Sequence, residues 1–349
     1  ELFQFPAAAR ALRAIGATRG EAFYTGEIAQ AMAAFAQAHG GSLSLADLAA
    51  HRPEWVTPIA RNYRGYTLHE IPPSGQGIAA LIALGILEQF DLASLPVDGP
   101  EAQHLQIEAM KLAFADVYRY VAEPSWMEVT PAQMLDDGYL ASRARLIRMN
   151  QAQDFGAGNP VKGGTIYLTT ADESGMMVSF IQSNYMGFGS GLVVPGYGVS
   201  LQNRGHGFTL QAGHPNQVAP GKRPFHTIIP AFLTQDGQPQ MSFGVMGGNM
   251  QPQGHMQTLV RMLDYRQGLQ AACDAPRWRF NKGLNINVEA AMNAATVQGL
   301  KDLGHEIDVI NDSYQDFGAG QFIWRAGNPA VEGYVAASDP RRDGLAAGY

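Results

Sequence analysis

The sequence predicts a layered α/β or α+β domain, and three observations support this prediction. Residues 1–50 and two later stretches carry apolar side chains at helical spacing. After Thr165 the chain changes to short runs rich in β-branched and aromatic residues, separated by Gly, Pro and Asn. A further helix is predicted from about Gln253 to Arg266, and a helix and strand alternation follows it. Strands with helices before and after them are typical of layered folds.

The first part of the chain is predicted to form helices. Pro6 occupies an N1-like position before an Ala-rich run. Gly26 precedes a run whose apolar residues recur at helical spacing. Ser44 stands three residues before Asp47, which is the spacing of a capping box, so another short helix is expected there.

The next part alternates extended and helical signals. Residues 55–71 are predicted to be extended around an Arg64-Gly65 turn. The run Pro72 to Gly77 breaks that pattern and leads into an apolar helix from Ile78 to about Phe90. A long helix is expected over His104 to Tyr120, because its apolar residues can share one face.

Short strands are predicted over residues 165–171, 176–183, 198–201, 228–234 and 240–244. The first two flank a Glu173-Ser174-Gly175 turn, which predicts a β-hairpin. Upstream of this hairpin, the stretch from Asp154 to Pro160 is predicted to be an exposed linker that is open to cutting.

Composition limits the classes of function. The chain has 349 residues, and its low charge and high glycine content suit a globular protein with a large buried core. A net charge of -7 without a Lys/Arg cluster argues against nucleic acid or an anionic membrane surface as the main partner. Cys273 is the single cysteine, so neither an internal disulfide nor a Cys-rich zinc site is expected.

The sequence leaves the compartment open. No apolar run is long enough to span a bilayer, and the start shows no basic-then-apolar export signal. Two expectations follow: either the protein is cytosolic, or a targeting segment lies outside the sequence, an option that the opening at Glu1 without Met supports. Both a cytoplasmic and a periplasmic location therefore fit.

Gly163-Gly164-Thr165 stands directly before the predicted hairpin. Two glycines let the backbone hold a strained turn, so the Gly164 carbonyl could face the Thr165 hydroxyl. Attack by that hydroxyl, an N→O acyl shift and hydrolysis would leave Thr165 at a new chain terminus. A terminal threonine combines a nucleophilic hydroxyl with an α-amine that can take its proton. Taken alone, however, such a tripeptide more often simply joins a loop to a strand.

Several short pieces of the chain are informative through their order and spacing. They are Phe23-Tyr24-Thr25-Gly26-Glu27-Ile28-Ala29, Pro72-Pro73-Ser74-Gly75-Gln76-Gly77, Glu108 to Asp116, Gly187 to Gly191, Gly221-Lys222-Arg223-Pro224, Gly247-Gly248, Asp274-Ala275-Pro276-Arg277, Ser338-Asp339-Pro340-Arg341 and Ala347-Gly348-Tyr349. Each piece is weak alone, but together they run over essentially the whole chain. In this order and spacing they resemble the γ-glutamyltransferase family of N-terminal-nucleophile hydrolases.

The resemblance implies an α+β fold, a four-layer αββα sandwich, made as one precursor that cleaves itself between Gly164 and Thr165. Residues 1–164 would be the mainly helical C-terminal part of a large subunit, and residues 165–349 the small subunit that carries the nucleophile. Both would belong to one αββα unit. The implied partners are a small-molecule amide substrate and the two subunits of the same precursor, with a homodimer of the processed heterodimer as an option. The mechanism needs no metal and no organic cofactor.

The resemblance also assigns catalytic roles by position. Thr165 would be the nucleophile, and Ser183 matches the second hydroxyl residue that hydrogen-bonds the nucleophile's terminus. The amides of Gly247 and Gly248 match the oxyanion hole. Adjacent glycines suit that role, because their N–H groups can approach a developing oxyanion without side-chain obstruction.

The chain departs from the family where the substrate is bound. Tyr185 occupies the position of an Asn that contacts the substrate α-amino group, and Gly207 that of the acid that pairs with this amine. A buried ammonium without a carboxylate partner would be poorly held. His226-Thr227 corresponds to the paired serines that hold the α-carboxylate, and Arg204 is a further candidate contact to the acyl group.

Two further departures concern the surroundings of the site. The segment between Phe208 and Lys222 is shorter than the lid-bearing loop of many members, which predicts an open pocket. The arginine that pairs with the substrate carboxylate in the family is expected before Glu1, so the sequence is interpreted as lacking the front of the large subunit.

Other candidate constellations are weaker. His104 and Glu108 lie one helical turn apart, but a hydrogen bond on the helix surface is the favoured interpretation over a metal pair. Ser190 lacks the preceding glycine of a Gly-x-Ser-x-Gly elbow, since Phe188 stands there. Cys273 is expected to be a small buried group and not a reactive thiol.

The sequence therefore predicts a self-processing γ-glutamyl transferase or hydrolase. It would form a γ-glutamyl acyl-enzyme and pass the acyl group to water or an amine. Two alternatives stay open: an amidase or acylase of the same fold that acts on a different acyl group, and a non-catalytic remnant. Gly207 and Tyr185 favour the first of these alternatives.

Overall fold

The computed structural model describes residues 2–156 and 164–349. Part of the predicted Asp154 to Pro160 linker, and Gly163, therefore lie outside the described residues. The chain divides into two compact units, each described by itself below. Unit 1 contains Glu1–Val56 and Asn184–Asn203, and unit 2 contains Thr57–Ser183 and Arg204–Tyr349.

The helices and strands follow one another along both units. The helices are α1 Pro6–Ala17, α2 Glu21–Tyr24, α3 Glu27–Ala38, α4 Leu45–Ala50, α5 Ile78–Leu87, α6 Pro100–Tyr120, α7 Pro131–Met134, α8 Asp137–Ala144, α9 Met250–Leu263, α10 Leu269–Asp274, α11 Ala294–Asp302 and α12 Ser313–Asp316. The strands are β1 Ile59–Tyr63, β2 Tyr66–Glu70, β3 Gly164–Ala171, β4 Met177–Tyr185, β5 Val193–Val194, β6 Val199–Ser200, β7 Ala231–Gln235, β8 Gln238–Met246, β9 Trp278–Lys282, β10 Asn285–Glu289, β11 Glu306–Ile310, β12 Ala319–Arg325 and β13 Tyr334–Ser338.

Unit 1 contains the N-terminal helices and the short β5–β6 hairpin. Pro6 begins α1 as predicted, and Ser44 caps α4 through a complete capping box with Asp47. A small apolar cluster holds the unit together. Its buried members are Ala11, Ala22, Ile28, Met32 and Val194.

Unit 2 is built on a six-stranded sheet with the order β1-β2-β7-β8-β12-β13. Neighbouring strands in it are antiparallel. Strand β8 lies in the interior of the sheet, where Phe243 stands between Ala231 of β7 and Phe322 of β12. Strands β1 and β2 come from before residue 164 and the others from after it, so the sheet joins the two parts of the chain. A separate three-stranded sheet has the order β11-β10-β9.

Alternation along β8 separates its two faces. Val245 lies against the helical side, because a side chain at Gly254 of α9 would come within 2.5 Å of it. Gly244 lies against the other side, where a side chain would come within 2.5 Å of the Tyr167 ring. The β3–β4 hairpin therefore packs on the face of β8 opposite α9. Helices, the large sheet and the hairpin are successive layers of unit 2.

The helical layer supplies most of the apolar core. All ten residues of α5 are buried, as expected of a helix that is apolar on every side. It contacts α6, α8, α9 and the first strands of the sheet. Among the described residues, no helix is long and apolar enough to cross a membrane.

Several predicted boundaries were wrong by a few residues. Helix α5 ends at Leu87 and not near Phe90, and α6 begins at Pro100 and not at His104. Helix α9 begins at Met250, three residues before the predicted start, because Pro252 falls within its first turn, where a missing N–H costs no hydrogen bond. The predicted strand at 228–234 begins only after Pro230.

The contact between Gly244 and Tyr167 gives a stability prediction. Gly244→Ala should lower the free energy of unfolding by about 1–3 kcal/mol, because the added methyl group must displace a packed ring. Urea denaturation measures this. Gly268→Ala is the matched control, since a side chain there meets nothing within 4 Å. Equal stability of the two variants would contradict the packing described.

Candidate active site at Thr165

Thr165 is the second residue of β3 and is only 8% exposed. Its hydroxyl lies 3.3 Å from that of Ser183 and donates to it. Ser183 belongs to β4, the partner strand in the same hairpin. The hairpin therefore brings together the two hydroxyl residues that the sequence selected.

The packing of β3 on β8 fixes where Thr165 lies. Thr169 Oγ1 lies 2.6 Å from Ser242 Oγ, and Tyr167 contacts Gly244. Each step of two residues back along β3 is thus a step of two residues forward along β8. One more step of the same register would bring Thr165 to Met246, the last residue of β8 before Gly247-Gly248.

Gly247 and Gly248 form the turn between β8 and α9. Their φ angles are +130° and +62°, in the region that favours glycine. A side chain at Gly247 would lie 2.9 Å from the Cα atom of Gly318. Within residues 2–156 and 164–349, no protein group accepts a hydrogen bond from either amide. The turn therefore presents two N–H donors at the start of a 14-residue helix, where negative charge is stabilised.

Buried ion pairs hold the backbone that faces this turn. Arg277 donates to the Phe317 carbonyl at 3.1 Å and pairs with Asp339 at 2.9 Å. Asp339 accepts the Gly320 amide at 2.8 Å. These bonds fix the segment around Gly318 on both sides and so hold Gly318 close to Gly247.

Arg204 lies between the hairpin and the segment that contains Thr227. Its guanidinium donates to Thr227 Oγ1 and to the Ser183 carbonyl, both at 3.4 Å. Burial, and then the positive charge of Arg204, lower the pKa of His226 to about 4. The imidazole is therefore neutral at pH 7, and Arg204 supplies the positive charge in this part of the site.

Gly207 stands where the family acid is expected, and the backbone leaves no space for one. A Cβ atom there would lie 2.5 Å from the Phe225 carbonyl oxygen. Asn216 ties the same two segments together, since it donates to the Gly207 carbonyl at 2.7 Å and accepts the Phe225 amide at 3.0 Å. The packing of this loop therefore excludes an acidic side chain at position 207.

Tyr185 is the last residue of β4, two positions after Ser183. It is buried and has a φ of +81°, which is uncommon for a non-glycine residue. It is counted in unit 1, and its contact with substrate stays a prediction.

The interpretation of His104 and Glu108 as a surface pair was wrong, because both side chains are buried. Together with His305 they offer ligand atoms within 4.8 Å of one another. Their hydrogen bonds run in one consistent direction. His104 Nε2 donates to the Arg148 carbonyl, so its Nδ1 accepts from His305 Nε2 at 2.8 Å.

Lys111 completes this network and disfavours a cation in it. Its ammonium lies 2.7 Å from Glu108 and 3.4 Å from His305 Nδ1. The lone pairs that a metal would need are already engaged, and a second positive charge would lie beside Lys111. The arrangement fits a structural network.

Two other predictions fit the structure. Cys273 is fully buried, and burial raises the pKa of its thiol to about 12, so it is unreactive. Ser190 donates to the Leu201 carbonyl at 2.8 Å within unit 1, as part of a turn. The sequence analysis missed Gln76, a fully buried amide that contacts the glycine turn. Its one signal was a large polar residue between Gly75 and Gly77.

Comparison with known proteins gives consistent results. A family model described as gamma-glutamyltranspeptidase matches residues 1–349. The glutathione hydrolase-like YwrD proenzyme of Bacillus subtilis is 35% identical over 333 residues, covering 94% of this chain and 62% of the relative. The oxamate amidohydrolase proenzyme of Klebsiella pneumoniae is 34% identical over 352 residues, covering 99% of this chain and 66% of the relative.

A solved structure supports the fold. The cephalosporin acylase from Bacillus halodurans matches with a TM-score of 0.94 and 49% sequence identity. The match covers 100% of this chain and 63% of that chain. It confirms the predicted α+β fold of the N-terminal-nucleophile hydrolase type. The chain spans less than two thirds of the length of each of these three proteins.

His226 gives a prediction on pH. Burial, and then the positive charge of Arg204, lower its pKa to about 4. In the unfolded chain this imidazole takes up a proton near pH 6.5 and in the folded protein it does not, so its contribution to stability is complete above that pH and is lost as the pH falls towards 4. The slope from this one residue should be about 1.4 kcal/mol per pH unit between roughly pH 6 and pH 5.

Urea denaturation across this pH range measures the slope. His226→Gln should reduce the slope of the unfolding free energy against pH by the contribution of one histidine. His51→Gln, at an exposed position in α4's C-terminal flank, is the control and should leave it unchanged. An equal slope in wild type and His226→Gln would show that His226 is not neutral in the folded protein.

Proposed function

The chain belongs to the gamma-glutamyltranspeptidase family, and on this premise we propose that it is a self-processing amidohydrolase with Thr165 as its nucleophile. The observation that carries the proposal is the 3.3 Å hydrogen bond between the hydroxyls of Thr165 and Ser183. The β3–β8 register supports it, because from this register we infer that Thr165 lies at the end of β8, beside the Gly247-Gly248 turn. In the proposed processing step, Thr165 Oγ1 attacks the Gly164 carbonyl carbon and the peptide C–N bond breaks. Hydrolysis of the resulting ester yields two chains, one that ends at Gly164 and one that begins at Thr165.

The freed α-amine of Thr165 would then act as the base. It takes the hydroxyl proton while Oγ1 attacks a substrate amide carbonyl, and the amides of Gly247 and Gly248 stabilise the oxyanion. Collapse of this intermediate expels the substrate amine, which takes the proton, and leaves an ester on Thr165. Water or a second amine then accepts the acyl group. Ser183, which accepts a hydrogen bond from Thr165 Oγ1, would orient the nucleophile.

The site favours an acyl group that carries a carboxylate. Arg204 places a guanidinium beside Thr227 Oγ1 and the Ser183 carbonyl, so a carboxylate on the acyl chain could form a charge-assisted hydrogen bond there. Gly207 offers no acid for a substrate ammonium. This supports the amidase or acylase alternative over strict γ-glutamyl recognition, in line with relatives named oxamate amidohydrolase and cephalosporin acylase.

γ-Glutamyl transfer is the second candidate. It is favoured by the family itself and by the relative named as glutathione hydrolase-like. A γ-glutamyl group also carries a carboxylate, so Arg204 serves both candidates. They differ in whether the α-amino group of the substrate adds to binding.

The first test removes the nucleophile. Thr165→Ala in the full-length protein should abolish self-cleavage and reduce amide turnover by at least about 1,000-fold. Thr165→Ser, which keeps a hydroxyl, should still be cleaved. Denaturing gels and sequencing of the smaller fragment give the result. Cleavage that survives Thr165→Ala would refute the proposal.

The second test addresses the acyl group. Arg204→Gln should raise KM for glutaryl-anilide about 10- to 100-fold, because it removes one charge-assisted hydrogen bond. Butyryl-anilide, which has no carboxylate, should be little affected. Arg119→Gln is the control, since Arg119 is an exposed partner of Glu128. Turnover of γ-glutamyl-anilide at least equal to that of glutaryl-anilide would favour the second candidate.

A further inference from the structure

Gln76 connects two parts of the site through a single side-chain amide. Its Nε2 lies 2.6 Å from the Thr227 carbonyl oxygen and 2.9 Å from the Gly248 carbonyl oxygen. A primary amide has two N–H donors, and each one has an acceptor here. The side chain is fully buried, so water does not compete for these bonds.

The backbone around Gln76 is equally fixed. Its amide donates to the His226 carbonyl at 2.9 Å, and the His226 amide donates to the Ser74 carbonyl at 3.0 Å. This short bridge precedes α5, whose residues are all buried. The side chain therefore projects from a rigid base.

The glycine turn needs such a contact because its residues are intrinsically free. Gly247 and Gly248 can each adopt many backbone conformations, and only some of them direct both N–H groups to one point. The Gly247 carbonyl accepts from the Met250 amide at 3.1 Å. The Gly248 carbonyl accepts from the Gln251 amide at 3.2 Å and from Gln76.

We propose that Gln76 is a positioning residue for the oxyanion-binding turn, which it holds in register with the substrate-binding segment at Thr227. The inference rests on the proposed function. Gln76 does not touch the reacting atoms. It fixes the peptide plane that follows Gly248, and so the direction of the donors before it.

The position of Gln76 in the chain gives this contact a second consequence. Gln76 lies upstream of the Gly164-Thr165 bond, whereas Thr227 and Gly248 lie downstream of it. After cleavage, the upstream chain would still determine the geometry of a site whose nucleophile and donors are on the other chain. The two chains would then be needed together for turnover.

The test replaces the amide by a side chain of similar length without donors. Gln76→Met should lower kcat about 10- to 100-fold while KM changes less than about threefold, because a misplaced oxyanion donor weakens the transition state more than the ground state. The affinity for a boronic acid with the same acyl chain, which forms a tetrahedral adduct, should fall in parallel with kcat.

Gln257→Met is the matched control. Gln257 is also a buried glutamine that donates to two carbonyls, those of Gln253 and Trp278, but it lies in the second turn of α9. It should lose stability without losing kcat. Both variants are compared in full-length protein, and in a form whose downstream chain is co-expressed starting at Thr165, so that activity does not depend on self-cleavage.

The outcomes separate this inference from the proposed function. If the wild-type protein is active and Gln76→Met keeps its kcat, or loses it only as much as Gln257→Met does, the inference is wrong and the proposed function stands. If Gln76→Met does not fold, Gln76→Glu takes its place. A protonated glutamic acid retains one donor, so the kcat ratio of Gln76→Glu to wild type should rise as the pH is lowered. A constant ratio would overturn the inference.

Discussion

The site depends on how closely the hairpin approaches the large sheet. Tyr167 can approach β8 this closely only because Gly244 has no side chain, and Thr169 can bond Ser242 because that residue is small. Packed interiors do not adjust continuously, so this contact sets the register of β3 on β8 in steps of two residues. The register in turn decides that Thr165 meets the end of β8 and not its middle. A strand contact at Gly244 thus places the proposed nucleophile, Thr165.

A network of buried charges on the other side of the turn serves the same purpose. Arg277, Glu289, Asp339 and Arg341 are all buried and pair with one another. Such pairs add little net stability, because desolvation offsets much of their attraction. Their hydrogen bonds to backbone groups, however, fix the segment that abuts Gly247. The network is therefore better explained by the precision of the turn than by stability.

Signals from neighbouring residues predicted the secondary structure well. Features that depend on contacts between distant segments were not predicted. Pro6 and the Ser44 capping box act within a few residues, so the helices that they begin were predictable. The burial of His104 was not, because it depends on His305, 201 residues later. Gln76 was missed for the same reason, since its acceptors at Thr227 and Gly248 come from distant segments. The glycine turn itself was predicted from the family resemblance.

If the chain is cleaved before Thr165, the burial that positions its hydroxyl also affects its new α-amine. Strand β2 pairs with β7 through Leu68 and Leu233, so the ladder across the cut survives loss of the Gly164-Thr165 bond. The new α-amine would arise at a residue that is only 8% exposed. Burial disfavours the charged form of an amine, and the neutral form is the one that can accept the hydroxyl proton. A fold that kept Thr165 exposed would leave its amine protonated more often, so in the proposed mechanism the tight hairpin contact would contribute to the chemistry as well as to the geometry.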